Sequence, residues 1–136
     1  MSAKHVSEFV RVVIKDTNNR VLVVIHRNTN SRSLNLPGGK VNSGEKPEEA
    51  VRRELLEETG MLLTSTKLVS DKHFNIDGVE WKGYFFLGES PCMTPQNMEP
   101  DKHSFVGFCD VNFAKQEGHR AFVSEPIELI SHQCGW

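Results

Sequence analysis

The chain has 136 residues and a mass of 15.4 kDa, with 38% apolar and 25% charged residues. That suffices for one hydrophobic core and leaves little for a second, so residues 1–136 are expected to form a single domain. The 16 Lys and Arg against 18 Asp and Glu give a formal net charge of −2. This is neither the basic excess of a stable nucleic-acid complex nor a polybasic membrane anchor. The longest apolar run, Val21 to Ile25, is 5 residues. A spanning helix needs about 20 and the apolar region of a signal peptide about 7–15, so a cytoplasmic protein with no membrane partner is expected. Cys92, Cys109 and Cys134 form no C-x-x-C pair, and the 6 His show no metal-binding spacing. Reduced thiols are therefore expected, and any metal should take oxygen ligands.

Residues 8–15 alternate, with Val10, Val12 and Ile14 on one face, and read as a strand. Asp16-Thr17-Asn18-Asn19 is turn chemistry, and residues 20–26 read as a second strand and hairpin partner of the first. Residues 27–35 are polar and read as a loop; residues 36–41 form a short extended piece broken by Gly38 and Gly39. Residues 46–59 carry the clearest helical pattern, with Pro47 at the first helical position and Glu48 and Glu49 in the first turn. Gly60 falls where a left-handed residue ends a helix. Lys46 occupies the N-cap, where its side chain cannot accept a backbone hydrogen bond.

Residues 67–76 and 79–87 flank Asp77-Gly78, a hairpin signal. Residues 88–104 contain Pro91, Pro95 and Pro100 and lack periodicity; a loop this long in a small domain suggests function. A further strand is expected over 105–111, and Ser124-Glu125-Pro126 opens a short C-terminal helix with Ser124 as N-cap. Strands on both sides of a central helix predict a mixed α/β (α+β) architecture, a mixed sheet with helices packed against it.

On the central helix Glu54, Glu57 and Glu58 stand at i, i+3 and i+4 and share one arc, with Val51 and Leu55 beside it toward the sheet. Converging carboxylates raise one another's pKa values, and a hard cation such as Mg²⁺ or Mn²⁺ keeps them charged. The competing reading is a solvated helix face laced by Glu48–Arg52 and Glu49–Arg53 pairs. The surrounding residues favour the first. From Gly39 through Glu45 to Arg53-Glu54-Leu55-Leu56-Glu57-Glu58-Thr59-Gly60-Met61 the chain fills every fixed position of G-x5-E-x7-R-E-U-x-E-E-x-G-U, where U is a large aliphatic residue. Residues 39–44 also begin like a phosphate loop, but Glu45 stands where that motif requires Lys.

This pattern resembles the Nudix box, and the chain is similar to MutT-like Nudix hydrolases. The resemblance implies an α/β/α sandwich with a mixed central sheet and metal-dependent cleavage of a nucleoside diphosphate linked to another group. It implies Glu57 and Glu58 as core ligands of Mg²⁺ or Mn²⁺, Glu54 as a further ligand or the general base, and the Gly38 carbonyl as an additional ligand. Because glycine permits close approach to the ion, a side chain at position 38 is expected to cost activity more than stability. Arg53 is placed among the catalytic residues, pairing with a box carboxylate such as Glu45. Arg27 and Lys40 are candidates for substrate phosphates. Among Phe74, Trp81, Tyr84, Phe85 and Phe86, Trp81 is the candidate to stack on a base, the others being expected in the core.

Asn97-Met98-Glu99-Pro100-Asp101-Lys102 resembles the N-x-E-P-[DE]-K segment of small Nudix enzymes acting on nucleoside triphosphates, although Phe105 and Phe108 stand where those relatives carry a Trp-rich strand. The resemblance suggests a loop folded over the carboxylate helix that brings Glu99, or else Asp101, to the metals or nucleotide. Residues 62–90 contain no Pro, and the one Tyr is Tyr84. Both points favour a compact triphosphate, hydrolysed to monophosphate and pyrophosphate, over ADP-ribose or a nucleotide sugar. A small-molecule nucleotide is thus the expected partner of a monomer or homodimer. A nucleotide-binding module without turnover is the alternative from another class, separated by an assay with Mg²⁺.

Overall fold

A computed structural model describes residues 6–27 and 33–136. The strands are β1 (Ser7–Val13), β2 (Arg20–His26), β3 (Ser33–Asn35), β4 (Gly38–Lys40), β5 (Ser65–Ile76), β6 (Val79–Glu89) and β7 (His103–Asp110). The α-helices are α1 (Pro47–Thr59), α2 (Val111–Glu117) and α3 (Glu125–Cys134). The strands form a mixed four-stranded sheet, β4-β1-β6-β5, and an antiparallel three-stranded sheet, β3-β2-β7. Among the described residues no helix is long and apolar enough to cross a membrane.

The expected β1–β2 hairpin exists only at its base. Leu22 N–H donates to the Ile14 carbonyl at 3.0 Å and Asp16 N–H to that of Arg20 at 2.9 Å. The strands then part: β1 pairs antiparallel with β4 and parallel with β6, whereas β2 pairs with β3 and β7. The physical reason is burial on both faces. Val12 and Val13 in β1, and Leu22 and Val23 in β2, send alternate side chains into two separate cores. One core joins Val10, Val12, Ile14, Leu22 and Phe86 to Val51 and Leu55 of α1. The other joins Val13, Val21 and Val23 to Val111, Ala114, Ile127 and Ile130 of α2 and α3. Helices thus cover both faces, and the architecture is the α/β/α sandwich with a mixed sheet.

Local chemistry explains the boundaries. Glu49 accepts the Lys46 N–H at 2.9 Å, which serves the helix start that Lys46's own side chain leaves uncapped. Gly60, at φ 74°, closes α1 with its N–H on the Leu56 carbonyl at 2.9 Å. Asp77 and Gly78, at φ 53° and 81°, make the primed turn between β5 and β6. The polar stretch expected as a loop over 27–35 ends in β3, while residues 28–32 lie outside the described residues.

The expected strand over 105–111 starts earlier and stops at Asp110, because that side chain caps α2, accepting from Asn112 N–H at 2.9 Å. The sequence reading did not foresee α2. A π-helical turn, Arg120–Ser124, leads into α3. Ser124 holds the N-cap position, but its hydroxyl donates to the Lys115 carbonyl at 2.5 Å and does not cap.

Neighbouring leucines on α1 have opposite surroundings: Leu55 is fully buried and Leu56 is 46% exposed. Leu55→Ala is expected to destabilise by about 2–5 kcal/mol and Leu56→Ala by under about 0.5 kcal/mol. Paired denaturant titrations measure both.

Candidate active site

The site begins where β4 lies between β1 and α1. Gly38 has φ 155°, and a Cβ there would stand 1.9 Å from the Val10 carbonyl oxygen. Its N–H donates to Glu58 Oε1 at 2.8 Å. A Cβ on Gly39 would lie 2.4 Å from the Glu54 carboxyl carbon. The two glycines therefore let two carboxylates rest against the strand. This changes the expectation for Gly38: a side chain would drive β4 off the β1 backbone, so the cost falls on stability as well as on the site.

Arg53 organises the carboxylates. Its guanidinium donates to both Glu45 oxygens at 2.8 and 3.0 Å, to Glu54 at 2.9 Å, to Glu57 at 3.3 Å and to the Lys40 carbonyl at 2.9 Å. Those bonds, Glu45's first, push the Arg53 pKa up, and Arg53 in turn holds Glu45 below the usual carboxylate range. Arg52 donates to the Leu63 carbonyl. The two arginines thus turn to partners other than the Glu48 and Glu49 that helical spacing offered.

The carboxylates occupy graded environments. Glu57 is half exposed at 49%, Glu54 is largely covered at 16%, and Glu58 is buried at 6% by side chain. Burial pushes the Glu58 pKa up to about 8; the charges of Glu54 and Glu99 add to this, while the Gly38 N–H and Arg11 oppose it. Burial also raises Glu54, against the pull of Arg53.

The proline-rich segment is strapped to the end of α1. Gln96 N–H donates to the Thr59 carbonyl at 2.9 Å and Met98 N–H to that of Glu58 at 3.2 Å, satisfying acceptors that a helix end leaves open. Arg27 holds the other side, its Nε on the Pro100 carbonyl at 2.6 Å and its N–H on that of Lys102 at 2.9 Å. Glu99 is thereby brought to Glu58: one donor atom from each of Glu58, Glu99 and His103 lies within 4.8 Å of the others. Asp101 is exposed in the turn that follows.

A cavity of about 280 Å³ adjoins the carboxylates through Gly39, lined by Phe9, Arg11, Asn35, Lys40, Ile76, Trp81 and Phe122. Trp81 meets the Phe9 ring edge-on at 6.1 Å. Arg11 lies over Phe9 at 5.1 Å and donates to Asn35 Oδ1 at 3.3 Å. Phe85 and Phe86 are core residues, and Tyr84 donates its hydroxyl to Glu8 at 2.6 Å. A larger cavity of about 520 Å³, by Arg120, Glu125 and His132, is lined by none of the box carboxylates.

The structure thus groups Gly38, Glu54, Glu57, Glu58, Arg53 and Glu99, and sets Lys40 and Trp81 at the adjoining cavity. Arg27 stands behind the loop. Sequence reasoning missed Arg11, Asn35 and His103. Arg11 carried a signal, a charge on the inward face of an apolar strand; His103 carried none.

Residues 8–129 match the family model described as NUDIX domain. Over 71 residues the chain is 47% identical to an RNA pyrophosphohydrolase of Bartonella clarridgeiae, covering 52% of this chain and 36% of that protein. Over 57 residues it is 39% identical to an 8-oxo-dGTP diphosphatase of Haemophilus influenzae, covering 42% of each. These matches span well under half the length of either relative. The crystal structure of a MutT NUDIX hydrolase from Burkholderia pseudomallei superposes with a TM-score of 0.79 at 27% identity, covering 93% of this chain and 99% of that one. A NUDIX hydrolase from Nitrosomonas europaea shares the fold with a TM-score of 0.82 at 22% identity, covering 95% and 90%. The family match runs from β1 into α3, and on that ground the chain belongs to the NUDIX family.

Proposed function

We propose that this chain is a divalent-metal-dependent pyrophosphohydrolase that cleaves a nucleoside triphosphate to the monophosphate and pyrophosphate. The observation that carries the reading is the buried Glu58 carboxylate with Glu54 and Glu99 converging on it, beside an aromatic cavity. Like charges brought together out of water are costly unless a cation joins them. The donor set fits a hard divalent ion: Glu57, Glu58 and Glu99 would hold it, with Glu54 and the Gly38 carbonyl at hand. When bound, such an ion neutralises phosphate oxygens and lowers the pKa of a water.

The chain's residues account for the remainder. Arg53 keeps Glu54 and Glu57 aimed, and the Gly38 N–H fixes one oxygen of Glu58 so that the other faces the site. Glu54, raised by burial, is suited to accept the proton of the attacking water. Lys40, at the cavity rim, supplies positive charge to the phosphates, and Arg27 acts through the loop that carries Glu99. Trp81 offers a face to the base, and Asn35 and Arg11 offer polar groups to its edge or the sugar. The names of the two relatives, an RNA pyrophosphohydrolase and an 8-oxo-dGTP diphosphatase, support anhydride hydrolysis and leave the leaving nucleotide to experiment.

The test is a panel of ordinary triphosphates, 8-oxo-dGTP, ADP-ribose and 5′-triphosphorylated RNA, assayed with Mg²⁺ or Mn²⁺ for pyrophosphate and phosphate. A triphosphate should give pyrophosphate, EDTA should stop the reaction, and Glu57→Gln and Glu58→Gln should each lower kcat by about 100-fold or more with the circular dichroism spectrum unchanged. No turnover of any triphosphate would overturn the proposal. Trp81→Ala should raise KM about 5- to 150-fold, the scale of losing one stacked base, with kcat changing far less.

The metal-free protein supplies a further check. Glu58 has a folded pKa of about 8 against an ordinary 4.5, so the fold favours its protonated form. Its contribution to stability is complete below about pH 4.5 and is lost as pH rises through about 8. In EDTA the Tm of Glu58→Gln should therefore climb relative to the parent across that range, and saturating divalent metal should remove the difference. Parallel melting curves at all pH values would refute this.

A further inference from the structure

His103 opens β7 and is 1% exposed. Its Nε2 stands 3.5 Å from Glu58 Oε2. That is beyond the roughly 2.7–3.2 Å of a good N–H···O hydrogen bond. It is a fitting separation for two donors sharing one ion, since atoms each about 2.1 Å from a metal lie roughly 3–4 Å apart. Glu99 supplies a third donor atom within 4.8 Å of both.

A second observation is independent of the carboxylates. Among the described residues two buried side-chain polar atoms lack a hydrogen-bond partner, His103 Nδ1 and Asn97 Oδ1. They belong to adjoining groups, for the Asn97 amide nitrogen donates to the His103 carbonyl at 2.9 Å. Orphaned buried polar atoms at one place call for a missing water, ion or chemical role. A histidine that ligates through Nε2 keeps its proton on Nδ1, and ligating histidines donate that N–H to an acceptor. Asn97 Oδ1, itself buried and unpartnered on the adjoining group, is an acceptor of that kind. A purely structural histidine leaves Nε2 facing a carboxylate across a gap and Nδ1 idle.

We infer that His103 is a nitrogen ligand of the metal site, completing a mixed site with Glu58 and Glu99 that takes a first-row transition ion such as Mn²⁺ in preference to Mg²⁺. This departs from the expectation of oxygen-only ligands, and it rests on the carboxylate-metal reading above. Imidazole favours transition ions, whereas Mg²⁺ favours oxygen and holds its waters.

The experiment is Mn²⁺ binding by electron paramagnetic resonance, with no nucleotide present. Mn²⁺ bound to the parent protein should show a directly bonded nitrogen coupling in pulsed spectra, and labelling histidine with ¹⁵N should change it. His103→Gln should abolish the coupling and weaken Mn²⁺ binding about 10- to 100-fold, the range for disturbing a metal-site partner, with Mg²⁺ affinity, read by competition, falling less. His26→Gln should keep the coupling; that ring lies 4.9 Å from His103 and is the neighbour most readily confused with it. Glu99→Gln should weaken Mn²⁺ binding and also keep the coupling. If His103→Gln does not fold, labelled parent protein and His26→Gln decide between the two rings. Tight Mn²⁺ binding without nitrogen coupling, or coupling that survives in His103→Gln, overturns the inference and leaves the carboxylate site standing. No Mn²⁺ binding by the parent protein overturns both.

Discussion

A single guanidinium holds this site together. Arg53 reaches three carboxylates, on the loop at Glu45 and on the helix at Glu54 and Glu57, and a backbone carbonyl of β4 at Lys40. The loop, the strand and the helix are thereby tied at one point. The fork of five donors suits such bridging in a way an ammonium does not. Around this tie the glycines permit close approach, and the apolar side of α1 fixes the height of the helix above the sheet.

The charge arrangement is graded around the helix. Glu57 faces water, Glu54 is covered but balanced by Arg53, and Glu58 is buried with a backbone N–H and a distant cation in partial compensation. The protein carries an electrostatic deficit at Glu58 that the fold alone does not cancel, and a site meant to receive a positive ion is expected to have this form. Hydrophobic packing bears the cost, through Val51 and Leu55, fully buried beside the carboxylate arc on the same helix.

Much of this was legible in the sequence because it is local. The reach of α1, its glycine end, the Asp77-Gly78 turn and the shared arc of Glu54, Glu57 and Glu58 follow from spacing within a few residues. Long-range placement was less legible. The β1–β2 hairpin was inferred from adjacency, whereas burial on both faces sends each strand to other partners. α2 lay hidden because its start is a single capping Asp110 behind a strand. His103 was invisible for the same reason: one histidine after a loop has no pattern, and only the folding of that loop onto α1 brings it to Glu58.

The parallel pairing of β1 with β6 joins Ser7 to Trp81 and Val13 to Leu87. α1 rests on local contacts, whereas this ladder closes the whole chain between its two strands, an entropically demanding pairing. The carboxylates thus share a site set by local spacing, whereas the cavity beside them depends on contacts distant in sequence. Because Phe9, Asn35, Trp81 and Phe122 line one space, the nucleotide-sized cavity is complete only when parts of the chain far apart in sequence have all been placed.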